Sequence, residues 1–260
     1  MTSPVPDAYY VRAGEGRYRP TEHTGGAWND AEQHFSPLGG LIAHAIEAHA
    51  DRRDLQISRI GFDILGRLPR EECEIEVEVL RPGRTIELVE ARARIGDRTV
   101  VRARAWLLIS GDTEAVSGST ADPLPDPEGL ETADISSLWP GGYISSIDVR
   151  PVGTPAPGRG TAWIGTGLEL VRGEKVGPVA SYVALVDTAN GIAVRESPRE
   201  WMFPNVDLTV HLYRRPEGPW VGLDTSVAFG PTGLGLTASV LHDRRGELGR
   251  AEQSLTVRPL

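Results

Sequence analysis

The stretch Asn205-Val-Asp-Leu-Thr-Val-His-Leu-Tyr-Arg-Arg215 sets apolar Val206, Leu208, Val210 and Leu212 between polar Asn205, Asp207, Thr209 and His211. Side chains two apart share one face of a strand, so one face is greasy and the other is a row of hydrogen-bonding groups. Such a row ordinarily faces water. Shielded from water, the Asp207 carboxylate would be a proton acceptor of the kind general-base chemistry uses. A second carboxylate, Asp187, falls among Val183, Val186 and Ala189 in a helical pattern, where it is hard to place fully in water. A hydrogen-bonded, half-buried Asp is the plainer reading of it. Gln253 offers an amide that both donates and accepts. His34 and His211 each stand near apolar segments, the usual setting of a structural histidine.

Other chemistries lack their parts. No Gly-x-Ser-x-Gly is present to seat a nucleophilic serine. His44 and His49 are five apart, on different sides of a helix turn, so no metal site and no cofactor are expected. The single cysteine, Cys73, allows neither an intramolecular disulfide nor a thiolate metal site. A net charge of −9, with no cluster of Lys and Arg interleaved with aromatics, argues against nucleic acid as a partner. The 260 residues, 40% hydrophobic and 24% charged, have the profile of a soluble globular protein. No apolar run is long enough to cross a bilayer, and no basic segment followed by an apolar run opens the chain. The cytoplasm is the expected location.

The elements that must position these residues come in two similar series. Ser36 as N-cap, Pro37 at the first helical position and Leu41, Ile42, Ala45 and Ile46 predict a helix from about Pro37 to Ala50. Gly39 and Gly40 near its start would admit a ligand to the positive helix end, or serve tight packing. Strands are predicted over Ile57 to Leu68, Cys73 to Arg81, Ile86 to Ile95 and Arg98 to Ile109. From Gly111 to Gly160 the composition shifts to Pro, Gly, Ser, Asp and Thr, which reads as a surface linker pinned by Trp139. The order then repeats: a strand over Thr161 to Val171, a helix from Gly177-Pro178 to near Gly191, and strands over Asn205 to Arg215, Trp220 to Phe229, Leu234 to Leu241 and Gly249 to Arg258. The expected division is residues 1–112, a linker over 113–158, and residues 159–260.

Repeats expose where two copies differ. Pro37 on Pro178 sets Ile46 opposite Asp187; Pro69 on Pro216 sets Ile60 opposite Asp207; Arg102-Ala103 on Arg250-Ala251 sets Ala105 opposite Gln253. Two copies of one scaffold need the same core, but only one needs a polar site. That singles out Asp187, Asp207 and Gln253.

A helix wrapped by an antiparallel sheet, twice in one chain, is similar to the double-hotdog arrangement. The segments Pro37-Leu-Gly-Gly-Leu-Ile-Ala-His-Ala-Ile46, Arg81-Pro-Gly-Arg84, Asn205-Val-Asp-Leu-Thr-Val-His211 and Arg250-Ala-Glu-Gln-Ser-Leu-Thr-Val257 resemble the acyl-CoA thioesterase II group and its actinobacterial relatives. The resemblance implies an α+β double hotdog that hydrolyses acyl-CoA thioesters with activated water and no cofactor. In that group an Asp, a Thr or Ser, and a Gln from the second hotdog hold the water. The Asp and Gln map to Asp207 and Gln253, while Ala228 occupies the expected hydroxyl position. One branch of hotdog thioesterases uses a helix carboxylate, which makes Asp187 the second candidate base. The amides of Gly39 and Gly40 would stabilise the oxyanion. Ala228 favours an alternative, a non-catalytic acyl-CoA or lipid-binding module. Free sheet edges are compatible with a homo-oligomer.

Overall fold

A computed structural model describes residues 7–29, 31–49 and 54–260. The first series comprises β1 (Ala8–Gly14), β2 (Arg17–Pro20), α1 (Phe35–His49), β3 (Leu55–Ile64), β4 (Cys73–Arg81), β5 (Ile86–Ile95) and β6 (Arg98–Ile109). The second comprises β7 (Ile147–Pro151), β8 (Arg159–Thr166), β9 (Glu169–Val171), α2 (Pro178–Val186), α3 (Ala189–Ile192), β10 (Trp201–Met202), β11 (Asp207–Leu212), β12 (Val221–Phe229), β13 (Leu234–Asp243), β14 (Gly246–Thr256) and β15 (Arg258–Pro259). Strands β4, β5 and β6 have the bounds their alternation and turn residues predict. The predicted helix end at Ala50 lies outside the described residues.

Among the described residues the strands form one sheet in the order β7-β8-β12-β13-β14-β11-β3-β6-β5-β4-β2-β1-β9, with β10 and β15 paired apart from it. The two halves mirror each other about the β11–β3 junction. There the strands run antiparallel, Leu208 opposite Phe62 and Val210 opposite Ile60, all four buried. On the inner side of the sheet lie α1 and α2. A helix that is apolar on nearly every side must be buried on nearly every side, and Leu38, Leu41, Ile42 and Ile46 of α1 are fully buried.

Several boundaries differ from the sequence reading, and three of them shape the fold near the centre of the chain. The helix α1 begins at Phe35 rather than Pro37, because His34 does the capping: its Nδ1 accepts the Ser36 amide at 3.1 Å. Strand β3 stops at Ile64, and Leu65 to Leu68 turn away at Gly66, whose positive φ of 156° breaks the pleat. The supposed linker is built into the fold: β7 pairs with β8, Trp163 Nε1 donates to Pro125 O at 2.7 Å, and Trp139 Nε1 donates to Gly191 O at 3.0 Å. Among the described residues no helix is long and apolar enough to cross a membrane.

Gly39 and Gly40 lie in the second turn of α1, where backbone amides are committed to intrahelical bonds. They cannot supply an oxyanion hole, so that expectation is corrected. Packing explains them instead. A Cβ on Gly40 would stand 2.4 Å from Ala184 Cβ and 3.0 Å from Ala180 O, so α1 and α2 approach as closely as they do only because this position has no side chain. At the other end of the pair Glu47 accepts the Ala180 amide at 3.1 Å, capping α2 from α1. Gly40→Val is expected to destabilise the protein by about 2 kcal/mol or more, since overpacked interiors must shift backbone. Urea denaturation checks this; an unchanged midpoint would show that the helices do not touch there.

Candidate active site

The helical pattern through Asp187 is interrupted at that residue. Helix α2 ends at Val186, Asp187 is its C-cap, and the chain makes a turn before α3. The interruption aims the carboxylate inward, toward a cavity of about 170 Å³ between the halves. The start of α1 (His34, Phe35), the turn from α2 to α3 (Asp187, Thr188) and Asn205 ahead of β11 all line it. Trp139 and Ile144 complete the wall from the segment read as a linker.

Asp187 is 7% exposed. Its Oδ1 accepts Asn205 Nδ2 at 2.8 Å and Gln253 Nε2 at 2.6 Å. Burial pushes the carboxyl up to about 7, against the pull of the two hydrogen bonds. His34 Nδ1 stands 3.6 Å from Asp187 Oδ2, but the contact is not an ion pair. Burial drives the imidazole down to about 3, and a ring nitrogen that accepts the Ser36 amide carries no proton. The ring stacks on Tyr143 with centroids 4.1 Å apart, and Tyr143 in turn hydrogen-bonds Thr188 at 2.6 Å. Among the described residues Asp187 thus sits with neutral donors and no cation to hold it ionised, and burial raises its carboxyl.

Gln253 points inward with Ala251 and Leu255. A carboxylate only accepts, so the amide nitrogen must face Asp187, and Oε1 is left buried without a hydrogen-bond partner among the described residues.

The expected pairing of Asp207 with Gln253 does not form. Asp207 lies on the outward face of β11, where it accepts Ser254 N at 2.5 Å and Ser254 Oγ at 3.3 Å. Ser254 is the residue next to Gln253, and neighbours on a strand face opposite sides. The mismatch traces to the repeat alignment. Ile60 faces the core and Asp207 does not, so the Pro69–Pro216 anchor is out of step, and a one-residue slip flips every side chain. The other two matches respect facing: Ile46 and Asp187 are both buried, as are Ala105 and Gln253. Ala228 is exposed on β12, on the outer face of the sheet, so it says nothing about the cavity and no longer favours a non-catalytic binder. His211 is likewise exposed on the outer face.

Sequence reasoning missed Asn205, the third polar partner. It was grouped with Asp207 by alternation, but it precedes β11, and outside the regular pleat its side chain turns inward to Asp187. Trp139, which the sequence places as the pin of a surface linker, lines the cavity instead; its aromatic character is the available signal.

Comparison with known proteins agrees with this architecture. The acyl-CoA thioesterase N-terminal domain matches residues 24–108 and the acyl-CoA thioesterase C-terminal domain matches residues 118–257. A hot dog fold protein of Alicyclobacillus acidocaldarius superposes with a TM-score of 0.76 at 14% identity, over 99% of each chain. A tesB protein of Mycobacterium avium subspecies paratuberculosis gives 0.72 at 18% identity, over 96% of each chain. An acyl-CoA thioesterase II of Mycobacterium marinum gives 0.65 at 16% identity, over 96% of this chain and 95% of the other. At such identities the likeness is one of fold, an α+β double hotdog. No curated protein matches the sequence. With the two domain matches together spanning most of its length, the chain belongs to the acyl-CoA thioesterase family.

Proposed function

We propose that this thioesterase hydrolyses its thioester with a water activated by Asp187, and that Asn205 and Gln253 hold that carboxylate in place. The carrying observation is the buried carboxylate of Asp187 at the cavity wall, pushed up to about 7, with one oxygen fixed by two amide donors. A base with that value is matched to neutral pH, ionised enough to act and basic enough to take a proton.

A thioester is already activated, so no metal or covalent intermediate is needed. The water oxygen forms a bond to the carbonyl carbon while Asp187 takes the proton. Gln253 Oε1 accepts the second hydrogen and sets the direction of attack. The carbonyl oxygen gains the negative charge at the N-terminus of α1, where the Phe35 amide is one of those a helix leaves without an intrahelical partner. Collapse of the tetrahedral intermediate breaks the carbon–sulfur bond. The thiolate departs and takes up the proton from Asp187, which restores the base. This assigns Asn205 the part that a hydroxyl residue plays in the related group. An amide suits it, because donation to an ionised carboxylate is the whole requirement.

Asp187→Asn is expected to lower kcat for acyl-CoA hydrolysis by about a hundredfold or more, the usual range for a lost general base, whereas Asp207→Asn leaves it within about twofold. Equal loss in both variants, or loss in Asp207→Asn alone, would move the base to β11. The rate should rise with pH as Asp187 ionises and level off above about 7. In Asn205→Ala, which removes a donor to the ionised form, the inflection should move to higher pH; an unmoved inflection would detach Asn205 from the base.

The same titration acts on stability. A carboxyl that titrates near 3.8 when unfolded and near 7 when folded binds its proton more tightly in the folded state. Its contribution is full below the lower value and is lost as pH rises through the window to 7. Asp187→Asn keeps the accepting oxygen without the ionisation, so its Tm relative to the parent should be higher at pH 8 than at pH 4. An offset independent of pH would show that Asp187 does not titrate in that window.

A further inference from the structure

We propose that the acyl group this site accepts is compact, no larger than about six carbons as a chain or one aromatic ring, and that Trp139 sets the limit. The inference rests on the reading of the Asp187 cavity as the place where the thioester reacts. It comes from the shape of that cavity and not from the family.

The cavity has about 170 Å³. An apolar cavity of about 150 Å³ holds a benzene molecule, and sites for larger ligands run from about 300 Å³ upward. Part of the space must hold the thioester carbonyl and the water beside Asp187, so the acyl group has less than the whole.

The wall at Trp139 does not yield. Trp139 is buried, and its Nε1 donates to Gly191 O at 3.0 Å, so the ring cannot swing aside without leaving a buried donor unpaired. Its ring meets Trp28 edge-on at 5.1 Å and Phe203 edge-on at 5.9 Å. Phe203 is itself fully buried and leans on Phe229 at 5.5 Å. A longer chain would have to push back a row of packed aromatic rings. Asn29 and Glu32, which also line the cavity, are polar groups suited to the amide-bearing arm of the carrier and not to alkyl. An acyl chain that reaches Trp139 therefore stops against this row of rings, while the carrier finds its polar partners at Asn29 and Glu32.

Two measurements on the full-length protein test this together: kcat/KM for acetyl-, butyryl-, hexanoyl-, benzoyl-, octanoyl-, dodecanoyl- and palmitoyl-CoA, and Kd for the matching non-hydrolysable thioethers. Turnover and binding should both peak among butyryl, hexanoyl and benzoyl. They should fall about tenfold by octanoyl and about a hundredfold or more by dodecanoyl, since even one ill-fitting methylene can cost about tenfold. The benzoyl arm tells a ring from a chain. Trp139→Leu should move the peak to octanoyl or longer; Trp139→Phe, which keeps a ring but loses the hydrogen bond, should broaden the profile without moving its peak. A wild-type preference for dodecanoyl or palmitoyl overturns the proposal whatever the variants do, as does a Trp139→Leu profile superimposable on the wild type. Binding with the expected length limit but no hydrolysis of any ester would leave the size limit standing and remove the catalytic reading. Fast hydrolysis of long chains would do the reverse.

Discussion

The close approach of α1 and α2, made at Gly40 against Ala184, is the contact on which the rest depends. The two helices pack antiparallel within one sheet, so the beginning of each lies beside the end of the other. At one end this brings the amides opening α1 to the carboxylate that closes α2. At the other it brings Glu47 to the amides opening α2. The two ends are related by the repeat but not equivalent. One is a cavity with a buried carboxylate at its wall, whereas the other is filled by a side chain of the protein itself. The duplicated scaffold has thereby kept a polar cavity at one helix end, and at the other the apolar Ile46 and Ala105 stand where an equivalent site would need Asp187 and Gln253.

Two buried aspartates in the second half show what decides the fate of such a group. Burial raises Asp243 too, but Arg214 grips both its oxygens at 2.5 and 2.6 Å, and the amides of Arg245 and Glu217 add to the hold, so its carboxyl ends below the usual range. Asp187 has two neutral donors and a histidine that burial keeps uncharged. The same residue type is held ionised in one place and pushed toward its neutral form in the other. The difference is that, among the described residues, Asp243 is held by a cation whereas Asp187 meets only neutral donors, an arrangement in which keeping it ionised costs stability.

Much of the fold was legible in the chain. Glu74, Glu76 and Glu78 alternating with Ile75, Val77 and Val79 announce a half-wet strand, and Arg81-Pro82-Gly83 ends it. Two members of the site, Asp187 and Gln253, emerged from comparing the halves, because helices and strand pairs keep their facing across a duplication. Asp207 misled because the anchor for its strand lay beyond a loop, and loops do not preserve phase. The role of Gly39 and Gly40 was not legible for a related reason: whether a missing side chain admits a ligand or a neighbouring helix depends on what lies opposite, which only the assembled structure contains. Nor could alternation reveal that Asn205, one step outside the pleat, turns the other way.

The junction of β11 with β3 joins residues far apart in the chain, Val210 to Ile60 and Leu208 to Phe62. During synthesis β3 emerges long before its partner, and at ordinary translation rates its edge waits on the order of ten seconds. Until β11 arrives, the first half exposes an unpaired strand bearing Phe62 and Ile60, the kind of edge that recruits other nascent chains. The feature that makes one sheet of two halves therefore places the greatest hazard of this protein's life before its folding is complete, in the interval between the making of its two central strands.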